Sequence, residues 1–581
     1  MKKNISALLI LFSFAVLLIG CGGGGSSTPP PPSLVVTPNS TAVPIGGSQA
    51  FSVTNSTATI TWTVSGPGSI SSAGVYLAPS TFPSPHTVTV TAAAGNQTGS
   101  ATVTIVFTND NAGTQSIPIK LGTSGGNILD NSADGKSCCI GTLGSLWNRG
   151  TGTFVLSNNH VLARSDKANV GEAIDQPGQP GCPEQQGTNV ANLTQRVLLK
   201  PTSTFTTAPC DRAPSPCGFA QNNVDAAIAQ MVPTTVDVSG AILDLGPAGP
   251  TSIAAAPPSS QLAIPSQVFA ANEGVSKSGR TTGLTCSTVQ AIDATITVPY
   301  DISCGAADTA PGGFTAAFKN QIAVNGGSFS AGGDSGSLIV TSDTARPLAL
   351  LFAGSDVATV GNPIQDVIAA LTNASGTPSI VGGADHPVSC DPTTQVQSVQ
   401  VGRQSANVSP QQRQLAINAR NRYATALMSA EPAIRFIRGG ASMDSPGEAA
   451  VLVNLSGQPK NPIPATLDGV RTRVVYAAGA AIPRMAVADV TRTRAIKEAH
   501  ETSLFGAGIQ GVGVGRSDDS PGETAIVIYT VRGETHAPIP PVIDGVRTKI
   551  IEGDRIRATH WNPQLEPKPA ACSKARVNIK K

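Results

Sequence analysis

The chain has 581 residues, 13% of them charged, with 61 Gly, 45 Pro and a formal net charge of +2 at pH 7. At roughly 100–200 residues per domain, that length predicts about three to five domains and excludes a single core. Low charge with abundant turn formers favours β structure over helical bundles, 40% hydrophobic residues exclude global disorder, and the lack of a long Lys/Arg run excludes a nucleic-acid partner.

Lys2 and Lys3 precede a mostly apolar run from Ile5 to Ile19 and then Gly20-Cys21, the layout of a secretory signal. The run is too short for a comfortable membrane span. Leu18-Ile19-Gly20-Cys21 resembles a bacterial lipobox, and the resemblance implies a signal peptide over residues 1–21 with lipid attachment at Cys21. Residues 22–33, a Gly run followed by Pro29–Pro32, read as a tether that is flexible near the lipid and stiffer further out. Gly22 after the cysteine resembles an outer-membrane sorting signal. The expected location is the bacterial cell envelope, as an outer-membrane lipoprotein facing the periplasm or the cell surface, with the membrane as a partner through the lipid.

Export places the other nine cysteines where oxidation is possible. Cys210 with Cys217, and Cys286 with Cys304, bracket short segments and read as local bridges, although spacing leaves connectivity open. No CxxC pair or His/Cys cluster stands at zinc spacing, so neither a metal nor a cofactor is expected.

The predicted fold class is mainly β and multidomain. Residues 34–107 alternate short apolar runs with turns, as in Thr87-Val88-Thr89-Val90-Thr91, and predict a β-sandwich. The segments around Trp62 and Gly74-Val-Tyr-Leu-Ala-Pro resemble bacterial immunoglobulin-like domains, with Trp62 a core anchor. Residues 113–385 form a second strand-rich block, of a length suited to two β-barrels, with helical periodicity only at Pro363–Leu371.

Beyond Asp385 the chain repeats itself: Asp444-Ser-Pro-Gly-Glu448 returns as Asp519-Ser-Pro-Gly-Glu523, and Leu467-Asp-Gly-Val-Arg-Thr472 as Ile543-Asp-Gly-Val-Arg-Thr548. Two small α+β modules are expected, at residues 405–482 and 483–562, each with a helix (Gln411–Met428; Val487–Leu504) and then an apolar strand (Ala449–Leu455; Thr524–Val531). The Pro/Gly-rich stretch from Gly376 to Pro392 reads as the boundary that makes these modules separable. Gly511-Val-Gly-Val-Gly515 fits neither a dinucleotide nor a Walker spacing, and the first copy has Phe436 and Arg438 in place of Gly511 and Gly513, so structural glycines are expected.

The chemistry concentrates in the second block. In Gly333-Asp334-Ser335-Gly336 a hydroxyl stands on a turn that flanking glycines permit, as nucleophilic catalysis with backbone oxyanion binding requires. Upstream, Phe154-Val-Leu-Ser-Asn-Asn-His160 runs an apolar strand into a loop carrying the only histidine between His86 and His386. Asn223-Val-Asp225 opens another apolar strand. The order His, Asp, Ser, with separations of 65 and 110 residues, differs from that of subtilisins and α/β-hydrolases. Asp211 and Asp237 remain open as alternatives to Asp225. Ser337 reads as a residue of the following strand.

With Cys139-Ile-Gly-Thr-Leu-Gly144, Lys277-Ser-Gly-Arg-Thr-Thr-Gly283 and Leu351-Phe-Ala-Gly-Ser355, residues 113–372 resemble the bacterial branch of the trypsin-like (chymotrypsin-fold) serine peptidases. The resemblance implies Ser335 as nucleophile, His160 as general base, Asp225 as the group that fixes its tautomer, and an oxyanion hole from the amides of Gly333 and Ser335. It also implies a protein or peptide substrate. Departures are the missing cysteine beside the histidine, where Val161 stands, and Ile380-Val-Gly-Gly383, which resembles an activation site but follows Ser335. Asp334 is therefore left without the usual activation partner. Phe329, six residues before the nucleophile, offers no acidic floor to a specificity pocket. The expected function is a secreted, lipid-anchored serine endopeptidase. The alternatives are a non-catalytic surface binding or adhesion protein on a peptidase fold, and an autoproteolytic protein.

Overall fold

The computed structural model describes residues 33–44, 46–79, 87–106, 111–130, 140–178, 187–201, 221–249, 252–300, 314–327, 329–390, 408–481 and 483–558. Cys21 with its signal and tether, Cys210, Asp211, Cys217 and Cys304 lie outside the described residues. The fold is mainly β, in two compact units, residues 1–106 and 107–581.

In the first unit a sheet ordered Ser40–Pro44, Gln97–Val106, Thr87–Ala94, Thr61–Ser65 shares its core with a sheet of Ser48–Ala50, Val75–Leu77 and Ser69–Ile70. Thr87–Ala94 buries Val88, Val90, Ala92 and Ala94 and turns the residues between them outward, as strict alternation dictates. They pack with Tyr76, Val103 and Ile105. Trp62 lies half-buried against this core. Gly74, at φ +78°, is required beside it, since a Cβ there would come within 2.8 Å of the indole.

The second unit begins with an eight-stranded sheet in the order Gly141–Leu143, Thr123–Asn127, Ala173–Gln176, Thr188–Arg196, Ala227–Met231, Gly152–Ser157, Ser145–Arg149, Ser379–Ile380. Gly141–Leu143 and Ser145–Arg149 are nearly continuous in the chain, so the sheet curls back on itself around Leu143, Val155, Leu156, Ile174, Leu193 and Ile228. The second sheet runs from Phe314–Asn325 through Ala358–Pro363, Pro347–Gly354, Leu338–Thr341 and Gly274–Gly279 to Gly283–Tyr300, which pairs again with Phe314–Asn325 and closes a six-stranded barrel.

Gly283–Tyr300 is 18 residues long and outruns its partner Gly274–Gly279. The surplus edge, Ala291–Ile296, pairs antiparallel with Gly511–Gly515 of the second repeat. The sheet thus continues through Ile509–Arg516, Thr524–Val531, Val546–Gly553 and Val542–Ile543. The expected separability of both modules is corrected for the second, which shares backbone hydrogen bonds with the barrel. The described part of the Gly376–Pro392 stretch, residues 376–390, is also not a free linker: Ile380 pairs with Trp147, and Asp385 accepts hydrogen bonds from Arg346 (2.6 Å) and Ser259 (2.6 Å).

Residues 511–515 are strand, not a phosphate loop, and Gly513 allows a close approach, since a Cβ there would lie 3.1 Å from that of Ala294. The first repeat forms its own sheet of Ile434–Ala441, Ala449–Leu455, Val470–Tyr476 and Thr466–Leu467. Cys286 is bonded to Cys390, 104 residues away, and not to Cys304. The local reading fails because residues 387–390 lie along the barrel, where the Val388 amide donates to the Ser342 carbonyl (2.8 Å) and brings Cys390 to a Cα distance of 5.9 Å from Cys286.

Candidate active site

The apolar strand Gly152–Ser157 ends at Asn158, whose extended backbone turns the chain into the short helix Asn159–Leu162 carrying His160. Asp225 stands just before Ala227–Met231, which pairs with Gly152–Ser157. This register fixes the two side chains together: His160 Nδ1 lies 2.6 Å from Asp225 Oδ2, and the His160 amide donates to Oδ1 at 3.2 Å. Both residues are fully buried. An ionised carboxylate only accepts, so Nδ1 carries a proton and donates it to Asp225.

Sequence reasoning missed the groups that hold Asp225. The Tyr300 hydroxyl donates to Oδ2 at 2.7 Å, Asn362 Oδ1 takes the Asp225 amide at 3.0 Å, and Asn158 Nδ2 donates to its carbonyl at 2.8 Å. Burial alone would raise the Asp225 carboxyl. The His160 charge, then hydrogen bonds from the His160 ring, Tyr300 and the His160 amide, outweigh it and hold the group below the usual carboxylate range. Tyr300 is pushed well above its ordinary value by burial and by Asp225, so it stays a neutral donor. A tyrosine closing the strand Gly283–Tyr300 was the available signal, but its partner is 75 residues away. Of the two alternative aspartates, Asp237 is instead engaged by Lys120 at 2.9 Å.

Ser335 lies in the turn that leads into Leu338–Thr341, and its carbonyl accepts from the Thr142 amide of the first sheet at 2.7 Å. Gly141 stands between Ser335 and Val161, the neighbour of His160: a side chain there would collide with the Ser335 carbonyl and a Val161 methyl. Gly336, at φ +97°, packs against Ser157 and Thr142, at the end of the strand that delivers His160. The Ser335 hydroxyl lies 3.4 Å from the Phe352 carbonyl. Gly333 takes φ +94°. Ser337 donates to the Asp334 carbonyl at 2.6 Å and leads into Leu338–Thr341.

Asp334 is not left alone. It accepts from the Thr281 amide (2.8 Å), Thr282 Oγ1 (2.7 Å) and the Ala331 amide (3.0 Å), and buried Lys277 stands 3.6 Å away. Burial lowers the Lys277 ammonium, and Asp334 opposes that shift. The segment Lys277–Gly283 thus supplies internally the partners that rigidify the turn before Ser335. Phe329 is buried in the core with Val289, Ile322 and Ile339, so it contributes packing.

No family model and no curated protein matches the chain. Among solved structures it is similar to Thermobifida fusca protease A, at 14% identity and a TM-score of 0.26, the match covering 46% of this chain and 99% of that one. It is similar also to the alpha-lytic protease homolog N4, at 16% identity and a TM-score of 0.25, the match covering 43% of this chain and 96% of that one. Likeness at these scores decides nothing about chemistry.

Proposed function

We propose that the chain is a serine peptidase that cleaves peptide bonds through an acyl-enzyme on Ser335. The observation that carries this reading is the sealed His160–Asp225 contact of 2.6 Å, with Nε2 facing away from the carboxylate, and a serine on a glycine-flanked turn that Gly141 separates from Val161, the neighbour of His160. In this mechanism His160 Nε2 takes the Ser335 proton as Oγ bonds to the substrate carbonyl carbon. It returns that proton to the leaving amine as the C–N bond breaks. Water then repeats the sequence in reverse and frees the acid. Asp225 stays ionised, holding the imidazole in one tautomer and stabilising the imidazolium. The amides of Gly333 and Ser335 serve the developing oxyanion. Attachment to the envelope through a lipid on Cys21 completes the reading. A Cys21→Ser protein should leave the membrane fraction or fail to mature.

The test is labelling of the purified protein with a fluorophosphonate. Labelling of the wild type that disappears in Ser335→Ala supports the reading. A folded wild type that never labels, even after its groove is opened as described below, points to a binding module. Asp225→Asn should lower turnover by about 10⁴, the cost of a wrong tautomer in this chemistry.

A further inference from the structure

The strand Pro347–Gly354 passes the nucleophile, its Phe352 carbonyl 3.4 Å from Ser335 Oγ, and its edge beyond that point is taken by the chain itself. Gly354 and Arg557 exchange both backbone hydrogen bonds, Gly354 N to Arg557 O at 2.9 Å and Arg557 N to Gly354 O at 3.0 Å, as an antiparallel bridge. Around it the segment alternates like a bound strand: Ile556 and Ala558 are buried against Tyr300, Phe352 and Leu199, while Arg557 between them is exposed. Two further contacts hold its approach, the Asp554 amide on Asp356 Oδ1 (2.7 Å) and the Ile556 amide on Gln510 Oε1 (2.8 Å). The same aromatic cluster contains Tyr300, which binds Asp225. An antiparallel partner in the register Gly354↔Arg557 meets Ala353 and then Phe352, the residue whose carbonyl faces the Ser335 hydroxyl. Ser335 and His160 meanwhile have no solvent exposure.

An unpaired strand edge is the place where an extended peptide adds, the main chain giving affinity and alternate side chains giving specificity. We propose that residues 554–558 occupy in cis the edge on which this peptidase pairs its substrate, so that the full chain is latent until the segment withdraws. The occupant also describes the substrate class: an extended peptide with an aliphatic or small residue on each side of the one paired with Gly354. This inference rests on the peptidase reading of Ser335 given above.

The experiment compares fluorophosphonate labelling rates of full-length wild type, Arg557→Pro and Ala558→Glu. Proline at 557 removes the N–H that bonds Gly354, on an exposed residue. Glutamate at 558 drives the segment from its apolar seat without touching the backbone. Each variant is expected to label about tenfold faster than wild type, since the lost pairing hydrogen bond in Arg557→Pro and the carboxylate forced into an apolar seat in Ala558→Glu both shift the closed population. A synthetic peptide of residues 552–558 added to Arg557→Pro should slow it again. Folded variants, with wild-type circular dichroism, that label at the wild-type rate would overturn the latency, while the peptidase reading stands. Absence of labelling in all three proteins, or labelling that persists in Ser335→Ala, overturns the peptidase reading and this inference with it.

Discussion

The two repeats carry the same interface motif and differ in what their first strand meets. Toward each other they are reciprocal. Asp444 accepts from Ser517 Oγ (2.5 Å) and the Asp518 amide (2.6 Å), and Asp519 accepts from Ser442 Oγ (2.5 Å) and the Met443 amide (2.6 Å). Arg471 reaches Glu448 and the Thr548 carbonyl, and Arg547 reaches Glu523 and the Thr472 carbonyl. Away from each other they diverge. Ile434–Ala441 turns Phe436 outward, 49% exposed, whereas Ile509–Arg516 is buried along nearly all its length against the barrel. The helices follow the same division: Pro410–Ala430 buries two alanines, while Val487–Leu504 buries Lys497, which donates to barrel residue Thr295 at 3.1 Å. The repeated residues mark the surface the copies share, and the replaced ones mark the copy that docks.

The sharpest way to break this division is to give the second copy the first copy's residue. Gly513→Arg sets a new Cβ 3.3 and 3.1 Å from those of Ala291 and Ala294 and brings a charged side chain to the buried strand pairing. An unpaired buried charge costs about 3–5 kcal/mol. The expected result is loss of the cooperative thermal transition of the second unit, and an unchanged melt would show that the strand does not need glycine there.

Next in size is the shared surface. Arg471→Ala and Arg547→Ala should each destabilise by about 2–3 kcal/mol through stranded carbonyl acceptors. The two values should agree within about 0.5 kcal/mol. Chemical denaturation reads both, and unequal losses would break the reciprocity.

A pH titration sharpens it further. Burial, and then the charge of Asp519, push Asp444 up to about 7 from 3.8. A carboxyl that binds its proton more tightly folded than unfolded contributes most below pH 3.8 and loses that contribution as pH rises through about 7. The melting temperature of the second unit should therefore fall by a few degrees over that window, and Asp444→Asn should flatten the fall. A wild-type slope retained in the variant would place the titration elsewhere. The smallest effect belongs to the first copy's exposed strand: Phe436→Gly should cost no more than about 1 kcal/mol, the strand entropy of glycine, measured by the same melts.

What the sequence displayed depended on how far apart the interacting residues lie. Period-2 alternation at Thr87–Ala94 and the helix Val487–Leu504 are local patterns, and both elements form where those patterns predict them. The substitution of Phe436 and Arg438 by Gly511 and Gly513 already separated the copies, because glycine at alternate strand positions leaves room for a close neighbour. That the neighbour is Ala291–Ile296 was not legible, since no pattern in either strand names its partner across more than 200 residues. The candidate site divides in the same way. His160, Asp225 and Ser335 stand out by residue type and order, but Tyr300, Asn362 and Lys277 act through contacts that only the folded sheets create. Cys390 escaped for the same reason: Cys304 was nearer in sequence, but the fold brings Cys390 against Cys286.

The Cys286–Cys390 bond also has a consequence for damage. It encloses the loop of chain that carries Ser335. A single nick anywhere between the two cysteines leaves both pieces covalently joined, with the strands on either side of the cut still hydrogen-bonded in one barrel. Such a molecule would run as one band on a non-reducing gel and as two once the thiols are reduced, so its intactness is readable only under reducing conditions.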